Sequence, residues 1–267
     1  MEHIRLANEA WGIKPVLFHI GSFELTAYTF FVVMGMGVGI LVYFIEAKKV
    51  RQVNESSFLI VAGAFIGSTI GAKLLEFLLN IDRFHSGNDL LLFLISGRTI
   101  VGGLIGGTFG VWITKRLTGI KAKRGNLFAP AIAIGVAVGR LGCFFNGCCY
   151  GKPTALPWAV DPGDEIMRHP TPVYESAFML LMFFVLKFGF TKREVKPGFL
   201  FNFLMLAYFI FRFLVEFIRE ERVAFSHLTY FQLISIFVII YLLLADKQLV
   251  LRQLFLKQKS KKQKGYE

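Results

Sequence analysis

Two arginines interrupt strongly apolar sequence, Arg140 in GVAVGRLGCFF and Arg212 in YFIFRFLVEF. A guanidinium presents five donors in a planar fork that suits a phosphate or carboxylate better than a point charge does. An arginine at the centre of a membrane helix costs at least about 2.5 kcal/mol on insertion scales, so its presence calls for a ligand or a partner. Two forks of this kind point to an anionic phospholipid. The densest polar cluster, GRLGCFFNGCCYGKP at 139–153, surrounds the first of them. Gly142, Gly147 and Gly151 permit a turn that exposes backbone N–H groups to an anion, and Asn146 can orient a phosphate or a glycerol hydroxyl. RHPTPVYE at 168–175 adds His169 and Glu175, with two prolines constraining the entry to a helix. Tyr208, Arg212, Glu216 and Arg219 follow one another by four, four and three residues, which places them on one helical face. Cys143, Cys148 and Cys149 lie within seven residues. Packing thiols, a redox pair, metal ligation with His169 and a covalent nucleophile at Cys148 or Cys149 all remain open for them, with packing the commonest case.

The elements that must position these groups are membrane spans. Of 267 residues, 55% are hydrophobic, 30 are Phe and 26 are Gly, and the mean hydropathy is +0.57, which excludes a water-soluble globule, a disordered chain and a coiled coil. The reading is an all-α polytopic membrane protein with seven transmembrane helices near 24–45, 58–79, 98–114, 127–146, 173–190, 199–218 and 228–245. The apolar stretch Leu90–Ile95 is too short to span. Nineteen Lys and Arg fall in the loops and tail of one side and eight on the other. Positive-inside bias therefore puts the N-terminus outside and the C-terminus in the cytoplasm, which requires an odd number of spans. The formal charge of +12 belongs to loops and tail and implies no nucleic-acid partner. Residues 1–245 read as a single membrane domain with external loops 80–97 and 147–172, and 246–267 as a basic cytoplasmic tail. No cleavable signal peptide is expected at the N-terminus. Glycines four apart, as at Gly63/Gly67/Gly71 and Gly102/Gly106/Gly110, predict closely packed helices. Glu24, Lys73, Glu76, Arg98, Arg140, Glu175, Arg212 and Glu216 all fall in the outer third of their spans, which predicts a polar cavity opening outward. Snorkelling and structural ion pairs, such as Arg212 with Glu216, are the alternative.

With IGSFELTAY at 20–28, GGLIG at 102–106, GRLGCFFNGCCYG, RHPTPVYE and FRFLVEFIR in place, the chain resembles the bacterial prolipoprotein diacylglyceryl transferase family over nearly its full length. The family signature, Gly-Arg-x-Gly-Asn-Phe-x-Asn-x-Glu-x-x-Gly, is matched at Gly139, Arg140, Gly142, Phe144, Asn146 and Gly151. Cys143 stands where the family has Asn, Cys148 where it has Glu, and Val101 where it tends to have His. The resemblance implies transfer of the diacylglyceryl group of phosphatidylglycerol, or another anionic phospholipid, to the lipobox cysteine of a secreted preprolipoprotein, releasing glycerol phosphate. It implies no cofactor and no metal. Arg140, Arg212, Tyr28 and His169 would be the catalytic set. Arg98, Asn146, Gly142, Gly151, Glu175, Tyr208 and Glu216 would bind substrate. The enzyme would sit in the bacterial inner membrane with its site open to the outer leaflet. A related transferase with another acceptor, and a non-enzymatic lipid-binding or lipid-translocating protein, are the alternatives. A translocator would need polar groups reaching the inner leaflet, and the sequence has few.

Overall fold

The computed structural model describes residues 13–20, 23–81, 99–190 and 195–245. In chain order these form β1 (Val16–Ile20), β2 (Phe23–Thr26), α1 (Ala27–Lys49), α2 (Glu55–Leu79), α3 (Ile100–Thr118), α4 (Gly125–Phe145), α5 (Thr171–Phe188), α6 (Phe199–Val215), β3 (Val223–Phe225), β4 (Leu228–Thr229) and α7 (Tyr230–Ala245). The fold is a largely helical, polytopic one. Helices α1, α2, α4 and α5 are long and apolar enough to cross a membrane, and α6 and α7 are shorter apolar helices. Large apolar side chains such as Phe65, Ile66, Leu181 and Phe184 are exposed, while Arg140, Glu175, Arg212 and Glu216 are buried. That inverted distribution suits a lipid surround.

The chain divides into two compact units, residues 46–122 and residues 1–45 with 123–267. In the first, α2 starts with a capping box, in which Asn54 Oδ1 accepts from the Ser57 N–H at 3.2 Å and Ser57 Oγ accepts from the Asn54 N–H at 3.3 Å. Its glycines meet those of α3 backbone to backbone. A Cβ at Gly67 would fall 2.4 Å from the Gly106 carbonyl oxygen, and one at Gly110 would fall 2.2 Å from that of Gly63. The four-residue spacing therefore does what it predicts, and α2 and α3 pack as a pair. Thr99 caps α3 through the Gly102 N–H and also donates its hydroxyl to the Ala72 carbonyl at 3.3 Å.

In the other unit α4 is the central helix. Against α1, a Cβ at Gly35 would fall 2.5 Å from the Gly135 carbonyl. Against α5, the Ser176 hydroxyl donates to the Ala137 carbonyl at 2.7 Å. Asn126, in the first turn of α4, uses its side chain to begin α6: Oδ1 accepts from the Gly198 and Leu200 N–H groups, both at 3.0 Å, and Nδ2 donates to the Lys196 carbonyl at 2.9 Å.

Three expectations change. The first helix begins at Ala27, because Phe23–Thr26 pairs as a strand with Val16–Ile20, so Glu24 sits in an exposed strand with its carboxylate 3.6 Å from His19 Nδ1. The sixth helix stops at Val215, short of 218, because the Ile218 carbonyl accepts from the Lys152 N–H at 2.7 Å and Arg219 forms an antiparallel bridge with Gly151. The fifth helix begins at Thr171 rather than 173, and the loop before it is bridged, with Arg168 paired to both Pro153 and Val160. Leu90–Ile95, Arg98 and residues 246–267 lie outside the described residues.

Candidate active site

Three helices bring the buried charge together. Arg140, in the last turns of α4, places Nη2 2.6 Å from Glu175 Oε2 on α5. Tyr208 on α6 donates its hydroxyl to the other carboxylate oxygen at 2.9 Å. One turn further along α6, Arg212 pairs through Nη2 with Glu216 at 3.0 Å and lies 4.7 Å from the Phe231 ring centroid. Thr229, leading into α7, donates its hydroxyl to Glu216 Oε1 at 2.9 Å. Arg219 Nε lies 3.7 Å from Glu216 Oε2 although the helix has ended. Its terminal nitrogens donate to the Cys149 carbonyl at 3.0 Å, the Thr171 hydroxyl at 3.3 Å and Glu221 at 2.6 Å.

Its buried centre alone carries an excess of positive charge, because Glu221 pairs with Arg219 at 2.6 Å from the margin. Three buried guanidiniums, Arg140, Arg212 and Arg219, face two buried carboxylates, Glu175 and Glu216, with Glu221 at the margin. Arg212 Nε and Nη1 and Arg140 Nε are buried without a hydrogen-bond partner among the described residues. Buried donors left open in this way suit a bound anion. At the Glu216–Arg219 end a cleft of about 160 Å³ is lined by Lys152, Glu216, Arg219, Thr229 and Gln232, among others, and not by Arg140 or Arg212.

The structure thus brings Arg140, Glu175, Tyr208, Arg212 and Glu216 together, with the two glutamates as counter-ions of the arginines. Gly142 and Gly151 hold backbones close: a Cβ at Gly142 would lie 3.1 Å from the Tyr28 carbonyl oxygen, and one at Gly151 would lie 2.4 Å from that of Ile218. Tyr28 thereby has its backbone against α4 near Arg140. Asn146 ends α4, its N–H donating to the Gly142 carbonyl at 3.0 Å. His169 packs in the bridged loop, Nδ1 lying 3.3 Å from the Tyr174 hydroxyl, which accepts from Trp158 Nε1 at 2.7 Å. Val101 is buried in the first turn of α3, in the other unit. Arg219, read from sequence on the face of Arg212 and Glu216, joins the set, and Thr171 and Thr229 extend it beyond the residues singled out from sequence. The helical step from Glu216 pointed to Arg219, whereas nothing in the local pattern marks the two threonines.

The cysteines close one side. The Sγ atoms of Cys143, Cys148 and Cys149 all lie within 4.8 Å of one another, and Arg140 Nη1 is 3.8 Å from Cys143 Sγ. Hydrogen bonds from the Cys143 and Cys148 thiols, followed by the charges of Arg219 and Arg140, hold the Cys149 thiol well below the usual thiol range.

A family model described as prolipoprotein diacylglyceryl transferase matches residues 15–245. The chain belongs to this family. It is 33% identical over 237 residues to the phosphatidylglycerol–prolipoprotein diacylglyceryl transferase of Clostridium tetani, covering 85% of this chain and 94% of that protein. The enzyme of the same description from Finegoldia magna is 31% identical over 228 residues, covering 84% and 91%. That from Geobacter sulfurreducens is 30% identical over 222 residues, covering 78% and 83%. Membership of the prolipoprotein diacylglyceryl transferase family makes this chain a membrane transferase, which sets aside the non-enzymatic readings.

Proposed function

We propose that the chain transfers the diacylglyceryl group of phosphatidylglycerol to the lipobox cysteine thiol of a secreted preprolipoprotein. The observation that carries this reading is the buried site in which three guanidiniums face two carboxylates and Arg212 keeps two open donors. The lipid phosphate binds between Arg140 and Arg212. The substrate's thiolate attacks the sn-3 carbon, a carbon–sulfur bond forms, and the carbon–oxygen bond to phosphate breaks with its electron pair leaving on glycerol phosphate. Charge grows on the phosphate in the transition state, where fixed arginine forks are most effective. His169 accepts the thiol proton, and a thiol with a reference pKa near 8.5 needs only modest help. Tyr208, Glu175 and Glu216 hold the two arginines, Gly142 and Gly151 shape the backbone around them, and Tyr28 and Asn146 complete the lipid site.

Direct attack is favoured over a covalent intermediate on Cys148 or Cys149. A diacylglyceryl thioether on the enzyme would pass its group on only by expelling a thiolate from carbon, whereas a phosphate monoester, with a second pKa near 6, leaves more readily. In this reading seven helices span the inner membrane of a bacterium, with the N-terminus and the loops 80–97 and 147–172 outside. The basic tail 246–267 is cytoplasmic, and the site opens to the outer leaflet.

The test is purified full-length protein with labelled phosphatidylglycerol and a lipobox peptide, followed by mass spectrometry. The expected result is a peptide heavier by one diacylglyceryl group, with glycerol phosphate released in equal amount. A peptide left unmodified by active, folded protein would refute the reading.

A further inference from the structure

The three cysteines play no part in the transfer as derived above, yet their sulfurs converge. Cys143 is buried in the last turn of α4, which ends at Phe145. Gly147, with φ of +67°, and Cys149, with φ of +64°, then turn the chain back on itself, and the Cys148 N–H donates to the Cys143 carbonyl at 3.1 Å. All three Sγ atoms lie within 4.8 Å of one another. Three thiolates about 2.3 Å from a central ion in a trigonal plane are about 4.0 Å apart, so the sulfurs close on an ion with shifts below about 1 Å.

We propose that Cys143, Cys148 and Cys149 form a binding site for a soft monovalent cation, Cu(I), held by three thiolates. Sulfur donors reject hard ions such as Mg²⁺ and Ca²⁺, and Zn²⁺ takes four ligands in a closed site, whereas Cu(I) is selected by soft thiolates. Three thiolates around one positive ion leave negative charge behind. Arg140, with Nη1 3.8 Å from Cys143 Sγ, and Arg219, donating to the Cys149 carbonyl at 3.0 Å, border the cluster and offset that charge. Cys149 is exposed, which gives the ion a way in. The proposal does not rest on the transfer reaction, although the two sites share Arg140.

The experiment uses detergent-purified full-length protein, reduced and kept anaerobic, titrated with Cu(I) against a chromophoric Cu(I) chelator. One Cu(I) per chain is expected, with X-ray absorption showing three sulfur neighbours at about 2.3 Å. Cys148→Ser and, separately, Cys149→Ser should weaken binding on the order of 100-fold or more, since a ligand is worth at least as much as its supporting shell. Their thermal midpoints serve as the check on folding. Substoichiometric copper in the wild type, unchanged affinity in both folded variants, or a mass two daltons low that marks a disulfide unable to take copper after reduction would each overturn the proposal.

Discussion

Arg140 Nη2 stands 2.6 Å from Glu175 Oε2, and the two side chains are only 8% and 1% exposed. Removing one partner of a buried ion pair strands the other, at a cost of about 3–5 kcal/mol. Glu175→Gln keeps the shape and an acceptor for Tyr208 but deletes the charge. Its thermal midpoint in detergent should fall by on the order of 10 °C. An unchanged midpoint would show that Arg140 is held by something other than this carboxylate.

Arg140 and Arg212 should each be needed for turnover. Arg140→Ala and Arg212→Ala are expected to lose on the order of 100-fold or more, because a donor that stabilises developing charge is commonly worth about 3 kcal/mol. Arg212→Lys should recover little, since an ammonium cannot reproduce the planar fork. Initial rates on variants with wild-type circular dichroism decide the matter, and near-normal rates in both alanine variants would contradict the assigned roles.

Replacing the thiols should leave transfer nearly intact. Cys148→Ser and Cys149→Ser, singly or together, are expected to keep activity within about tenfold, whereas an essential nucleophile could not be replaced by a hydroxyl without near-complete loss. Wild-type protein incubated with labelled phosphatidylglycerol and no peptide should show no added mass on any of the three cysteines. A kinetically competent lipid adduct would establish the covalent route.

The proposed orientation rests on the split of nineteen basic residues against eight. Reporter fusions should place Lys121 and Lys257 in the cytoplasm and Arg168 outside. Finding Lys121 and Arg168 on one side would overturn the topology.

Two glycines should answer the same substitution differently. A Cβ at Gly106 would meet the Gly67 carbonyl at 2.3 Å, while one at Gly37 meets nothing within 4 Å. Gly106→Ala should destabilise by about 1–3 kcal/mol through overpacking, and Gly37→Ala should be neutral or slightly stabilising. Thermal unfolding of the two variants side by side makes the comparison.

The helical face of Tyr208, Arg212 and Glu216 was legible because residues four apart on a helix must share a side. The partner of Arg140 was not, because Glu175 is 35 positions away on another helix and only packing of α4 against α5 chooses it. The start of the first helix was hidden for a different reason. Strand and helix are both apolar across FELTAYTFF, and the boundary is set by pairing of Val16 with Thr26 and by the Ala27 N–H donating to the Pro15 carbonyl at 2.7 Å. Sequence put three cysteines near one another, but the convergence of their sulfurs depends on two left-handed residues in the turn, Gly147 and Cys149.

Thr229 has a single hydroxyl proton, and it goes to Glu216. The same oxygen accepts from the Gln232 N–H at 3.2 Å, while Gln232 Oε1 accepts from the Thr229 N–H at 2.9 Å, closing the first turn of α7. The last helix is therefore geared to the carboxylate that holds Arg212. Any displacement of that guanidinium would act on the first turn of α7 through one oxygen atom. Valine has the shape of threonine without its hydroxyl, and at this position it would uncouple the helix from the site while filling the same space.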